Sequence, residues 1–121
     1  MKKLLCIIFA MALCSASFAD TGSAFVVLNG VSSTGASQTI NISKASFVRV
    51  QVWSNAGSTA GITIQERSSP NAPWYTVATI TDPDANGEYW SVPVAMQLQV
   101  NVSSYASGII NAIVETHQIT P

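Results

Sequence analysis

Phe47-Val48-Arg49-Val50-Gln51-Val52-Trp53 alternates without a break, with Val48, Val50 and Val52 on one side and Arg49 and Gln51 on the other. Successive side chains of a strand point to opposite faces, so a period of two marks a strand with one face buried and one in water. The pattern repeats in both directions from this stretch. Met96, Leu98, Val100 and Val102 alternate with Gln97, Gln99 and Asn101, and Ile62 and Ile64 alternate with Thr63 and Gln65. Ile40 and Ile42 alternate with Thr39, Asn41 and Ser43, and a last strand from Ile109 to about His117 turns Ile110, Ala112 and Val114 one way. Ser23 to Leu28, Trp74 to Thr81 and a shorter run around Glu88 to Val92 complete the set.

Turn-forming residues fall between these runs. Asn29-Gly30 and Ser33-Thr34-Gly35 close the first strand, and Asn55-Ala56-Gly57-Ser58 closes the strand that begins at Phe47. Ser68-Ser69-Pro70-Asn71-Ala72-Pro73 is a stiff loop, because two prolines fix φ and remove backbone donors. Asp82 to Gly87 and Ser103 to Gly108 form two further loops. Val, Ile and Thr are abundant, while beyond residue 19 the leucines are Leu28 and Leu98 alone. Branched side chains lose rotamer freedom in a helix and pack well on a pleated sheet. The expected fold is all-β: a single immunoglobulin-like or jelly-roll antiparallel β-sandwich of 7–8 strands.

Ahead of this domain, Met1 to Ala19 reads as a signal peptide. Lys2 and Lys3 precede the apolar run Leu4 to Leu13, and Ser17 and Ala19 are small residues at the positions a signal peptidase reads. Residues 20–121 then form the β-sandwich domain, exported to the periplasm or the extracellular space. Both cysteines, Cys6 and Cys14, lie in the leader, so residues 20–121 contain no thiol. The apolar run is too short for a membrane span, which takes about twenty residues.

Composition excludes several chemistries. Lys44, Arg49 and Arg67 are set against Asp20, Glu66, Asp82, Asp84, Glu88 and Glu115 in residues 20–121. No basic stripe exists to neutralise phosphates, so nucleic acid is not an expected partner. One histidine, His117, and no thiolate cannot complete a tetrahedral zinc shell, and no nucleophile-and-base pattern appears. Glu66, Glu88 and Glu115 are carboxylates on or near strands, but no spacing selects a catalytic pair, and they read as solvated strand-face charges. The chain is therefore not expected to be an enzyme.

Two weaker signals remain. Asp82, Asp84 and Asn86 place oxygen ligands at alternate positions before Gly87, like the first half of a calcium loop. The twelfth position is Pro93 instead of a bidentate Glu, and Asp-Pro and Asn-Gly are turn formers in their own right, so Ca2+ is a secondary expectation and no other cofactor is expected. Trp53, Trp74, Tyr75, Tyr89 and Trp90 are candidate ligand-binding aromatics, with Trp53, Trp74 and Trp90 as a platform on which sugar rings would stack. Burial of the same rings at sheet edges is the competing reading.

From Val50 to Glu115 the chain resembles small β-sandwich virion proteins of tailed bacteriophages, of the head-decoration or fibre-accessory kind. Val50-Gln51-Val52-Trp53, Ile62-Thr63-Ile64-Gln65-Glu66, Pro73-Trp74 leading to Thr79-Ile80-Thr81, and Gly87-Glu88-Tyr89-Trp90 carry the resemblance. It continues through Leu98-Gln99-Val100-Asn101-Val102-Ser103 to Gly108-Ile109-Ile110-Asn111-Ala112. The resemblance implies a non-enzymatic protein that sits on a larger assembly or binds a surface. The export signal departs from that family, whose particles assemble in the cytoplasm. The sequence thus gives an exported structural or surface-binding module whose partners are other protein subunits, including copies of itself, or surface glycans. A carbohydrate-binding module is the alternative, and a small secreted hydrolase a distant third.

Overall fold

The computed structural model describes residues 20–119, and the leader Met1 to Ala19 lies outside them. The strands are β1 (Asp20–Val31), β2 (Gly35–Ala36), β3 (Ile40–Asn41), β4 (Phe47–Ser54) and β5 (Thr59–Arg67), followed by β6 (Tyr75–Thr81), β7 (Glu88–Val92), β8 (Gln97–Ser107) and β9 (Ile110–Ile119). No helix occurs among the described residues. One sheet has the order β1-β9-β4-β7 and the other β2-β8-β5-β6, with β3 also paired to β8. Every pairing is antiparallel.

The pairings are nested. The chain folds as one long hairpin, β1 on β9, β2 and β3 on β8, β4 on β7 and β5 on β6, with the double-proline loop at its tip. β2 and β3 are two short pieces along one edge of β8, Gly35 opposite Val102 and Ile40 opposite Leu98, and together they hold a single strand position. Rolling the long hairpin on itself then adds the β4–β9 and β5–β8 pairings. Eight strand positions in this nesting make a jelly roll, which decides between the two sandwich types the sequence allows.

Alternation sets the core. β4 turns Val48, Val50, Val52 and Ser54 inward, β5 turns in Ala60, Ile62, Ile64 and Glu66, and β8 turns in Leu98, Val100 and Val102. With Ile80, Ile110, Ala112 and Val114 the apolar residues among these form one buried cluster between the sheets. Most of them are β-branched, so they fill the layer with little rotamer entropy to lose.

Three boundaries differ from the sequence reading. Asn29-Gly30 is a bulge inside β1 instead of a turn, because the Gly30 N–H reaches Asn111 Oδ1 at 3.0 Å and the strand resumes at Val31. β8 runs on through Ser103 to Ser107, and Gly108 and Ile109 make the corner into β9. Gly108 has φ +106°, and a Cβ there would stand 2.4 Å from Ser58 Cβ, so glycine is required on both counts. Gly35 and Ala36 are a strand instead of part of a turn, held to Val102 and Asn101.

An Ile64→Ala variant should lose about 3 kcal/mol of stability, since it opens a cavity in the fully buried layer. Thr79→Ala on the exposed face should stay within about 0.5 kcal/mol. Urea unfolding of the two variants against the parent measures both.

Candidate functional site

The five candidate aromatics are spread over the molecule. Trp53 projects from the outer face of β4 and is half-buried, because the loop at residues 82–87 presses on it; a Cβ at Gly87 would lie 2.9 Å from Trp53 Cβ. Trp74 belongs to the other sheet, where its ring covers the Arg67 guanidinium at 4.2 Å. Arg67 in turn donates from Nε to Gln97 Oε1 at 2.8 Å. Trp90 sits on edge strand β7 opposite Val50, on the core side of the sheet, and its indole N–H meets Glu88 Oε2 at 3.2 Å. Trp53, Trp74 and Trp90 are thus on different surfaces and make no common platform. Tyr75 and Tyr89 are the most exposed of the five, at 72% and 53%.

Tyr89 is part of a connected group on the outer face of the β1-β9-β4-β7 sheet. Glu115 stands opposite Arg49 across the β4–β9 pairing, and Phe47 stands opposite His117. Arg49 Nη2 approaches Glu115 Oε2 at 3.3 Å, and the Tyr89 hydroxyl donates to Glu115 Oε1 at 2.7 Å. His117 Nε2 lies 3.4 Å from Glu115 Oε2, and the His117 ring stacks on Phe47 at 4.5 Å with planes 5° apart. The Arg49 guanidinium also rests 5.3 Å from the centre of the Tyr89 ring. The Tyr89 hydrogen bond, then that of His117 and the charge of Arg49, hold the Glu115 carboxyl below its ordinary range. The same hydrogen bond to Glu115 pushes the Tyr89 hydroxyl up. Periodicity put Arg49 on the polar face of its own strand, but not the convergence of these residues on a single carboxylate, because that needs the order of strands in the sheet.

The outer face of the second sheet is a ladder of amides and hydroxyls. Gln99 Nε2 donates to Gln65 Oε1 at 2.9 Å, and Gln65 Nε2 reaches Thr76 Oγ1 at 3.4 Å. Thr63 and Asn101 continue the ladder as cross-strand neighbours, with Trp74 and Arg67 at the end where Gln97 stands.

The acidic loop uses its carboxylates on its own backbone. Asp82 Oδ1 accepts the Ala60 N–H at 2.9 Å, while Asp84 Oδ1 accepts those of Asn86 and Gly87 at 2.9 and 3.1 Å. Asp82 has φ +49°, a left-handed conformation that Asp adopts more readily than most residues. Among the described residues no group of three or more His, Cys, Asp or Glu gathers to hold a metal ion. The loop therefore has the geometry of a backbone-capping turn.

Glu66 is not the solvated strand-face charge that the sequence reading gives it. It follows Ile62 and Ile64 on the inner face of β5 and is 4% exposed. Among the described residues, three polar side chains are buried between or beside the sheets: Ser54, Asn111 and Glu66. Ser54 Oγ accepts the Gly57 N–H at 3.2 Å, and Asn111 joins Gly30 and Asn55. Glu66 Oε2 is buried without any hydrogen-bond partner. Burial pushes its carboxyl up to about 7. Glu66 lies in one sheet, whereas Glu88 and Glu115 lie in the other and on opposite faces of it.

No protein-family model matches the chain, and no curated protein matches it in sequence. In three dimensions it is similar to the SPBc2 prophage-derived protein YomS, with a TM-score of 0.69 and 11% identity, over 82% of this chain and 95% of that one. It is also similar to a part of CpGH89 from Clostridium perfringens, with a TM-score of 0.51 and 12% identity, over 81% of this chain and 14% of that one. At such identities the likeness is one of fold, and a prophage-derived protein shares nearly all of it.

Two titrations follow from this geometry. Between about pH 4.5 and 7 the unfolded chain loses the Glu66 proton while the folded chain keeps it, so stability falls as pH rises through that window. Glu66→Gln should remove this slope and leave the variant more stable than the parent at pH 8, by on the order of 2 kcal/mol. Thermal unfolding at pH 5, 7 and 8 checks it; the Glu115 contribution is already complete above its unfolded value and adds no slope there. In Tyr89→Phe the Glu115 carboxyl should titrate at higher pH, which carbon-detected NMR of the carboxyl resonance reads directly.

Proposed function

We propose that this chain is an exported, non-enzymatic β-sandwich subunit that associates with protein surfaces through the outer face of its β1-β9-β4-β7 sheet. The observation that carries this reading is the group centred on Glu115. Tyr, Arg and a stacked Phe–His pair are held in place by one carboxylate on an open, nearly flat surface. Aromatic residues and arginine are the side chains that anchor protein–protein contacts, and fixing them beforehand lowers the entropy cost of docking. Val26 lies on the same face, opposite Ile113, and adds exposed apolar area. The likeness in shape to a prophage-derived protein supports an accessory role of the phage-virion kind. The leader at Met1 to Ala19 supports work outside the cytoplasm, where a domain without thiols is indifferent to oxidation.

Glycan binding is the second reading, and the amide ladder favours it. Gln65, Gln99 and Thr76 offer several donors and acceptors on a flat sheet face, with the half-buried Trp74 beside them. Static light scattering separates the two. The first reading predicts a mass above one chain that drops in a Tyr89→Ala, Arg49→Ala double variant. A single-chain mass at every concentration, with tryptophan fluorescence that responds to polysaccharide, contradicts it and supports the second.

A further inference from the structure

Glu66, whose Oε2 is buried without a hydrogen-bond partner, lines a groove of about 440 Å³ at the end of the sandwich that carries the double-proline loop. Pro73, Tyr75, Val77, Pro93 and Ala95 supply the rest of the wall that matters, nearly all of it apolar. A bulge at Val77 lies beside the groove: Ile64 pairs with Ala78 but Gln65 with Thr76, so the register of β6 on β5 shifts just before Glu66. Arg67 also borders the groove, yet its guanidinium is engaged by Gln97 and Trp74 and makes no ion pair with Glu66.

We propose that this groove is a binding site for a lysine side chain of a partner protein, whose ammonium would pair with Glu66 and whose aliphatic stem would lie along the proline and valine wall. A buried carboxylate without a partner is among the most costly groups a fold can hold, and a cation brought to it recovers that cost. A single carboxyl bordering the groove suits a compact ammonium better than a planar guanidinium, which presents a fork of five donors. Four methylenes suit an apolar wall beside a single carboxyl, and the volume falls within the range of built ligand sites. This inference stands on Glu66 alone and is independent of the outer-face contact.

The test is an NMR titration of isotope-labelled protein with Nα-acetyl-lysine amide, its neutral norleucine counterpart and glucosamine. The lysine probe should shift the resonances of Glu66, Val77 and Ala95 and bind at least tenfold more tightly than the norleucine probe. Glu66→Gln, with its spectrum otherwise preserved, should reduce the lysine probe to the norleucine level. Equal binding of the two amides, shifts confined to other surfaces, lysine preference retained in Glu66→Gln, or tighter binding of glucosamine would each overturn the proposal.

Discussion

One apolar layer holds this fold together, and both sheets contribute its side chains. Val48, Val50, Val52 and Val114 of one sheet meet Ile62, Ile64, Ile80 and Val100 of the other in a single buried cluster. Residues 20–121 contain no cysteine, so no disulfide shares the load. A domain of this size buries enough surface to manage without staples, provided the layer is complete. The nested pairing adds a second constraint, because β1 closes on β9 from the far end of the chain. Its strands can only find their places once the layer has begun to form, which is a slow kind of topology.

That layer also explains where chemistry can appear. Inward positions belong to branched apolar residues, so polar groups are left to the outer faces and to the ends of strands. The two outer faces differ: one converges on a single carboxylate through Tyr89, Arg49 and His117, and the other is an uncharged ladder around Gln65 and Gln99. Glu66 is the exception, a carboxyl on the inner face at the end of β5. Ser54 holds the equivalent inner position at the end of β4 and meets a backbone N–H at once. Glu66 Oε2 meets none, so the fold carries a buried polar atom at a cost.

The sequence was legible wherever local rules decide. Alternation from Phe47 to Trp53 and from Met96 to Val102 showed the strands and the buried face, and the prolines at 70 and 73 marked a stiff loop. It was illegible where two distant strands must meet. Asn29-Gly30 has the composition of a turn, but Asn111 Oδ1 supplies a partner and makes it a bulge. Glu66 reads as a surface charge, since charged residues are rarely buried, although it has the same parity as Ile62 and Ile64. That parity was the available signal. The grouping of Tyr89, Glu115, Arg49 and His117 had no local signal, because β7, β4 and β9 become neighbours only through the roll.

The central claim is that the two alternating faces are pressed together as a jelly roll, leaving Glu66 at one end of the shared interior. Methyl–methyl NOEs in isotope-labelled protein test it most directly. The account predicts cross-peaks that join the valines of β4 and β9 to the isoleucines of β5 and β6, along with backbone contacts between β1 and β9. Strong NOEs within each sheet but none between the two sets of methyls would contradict it.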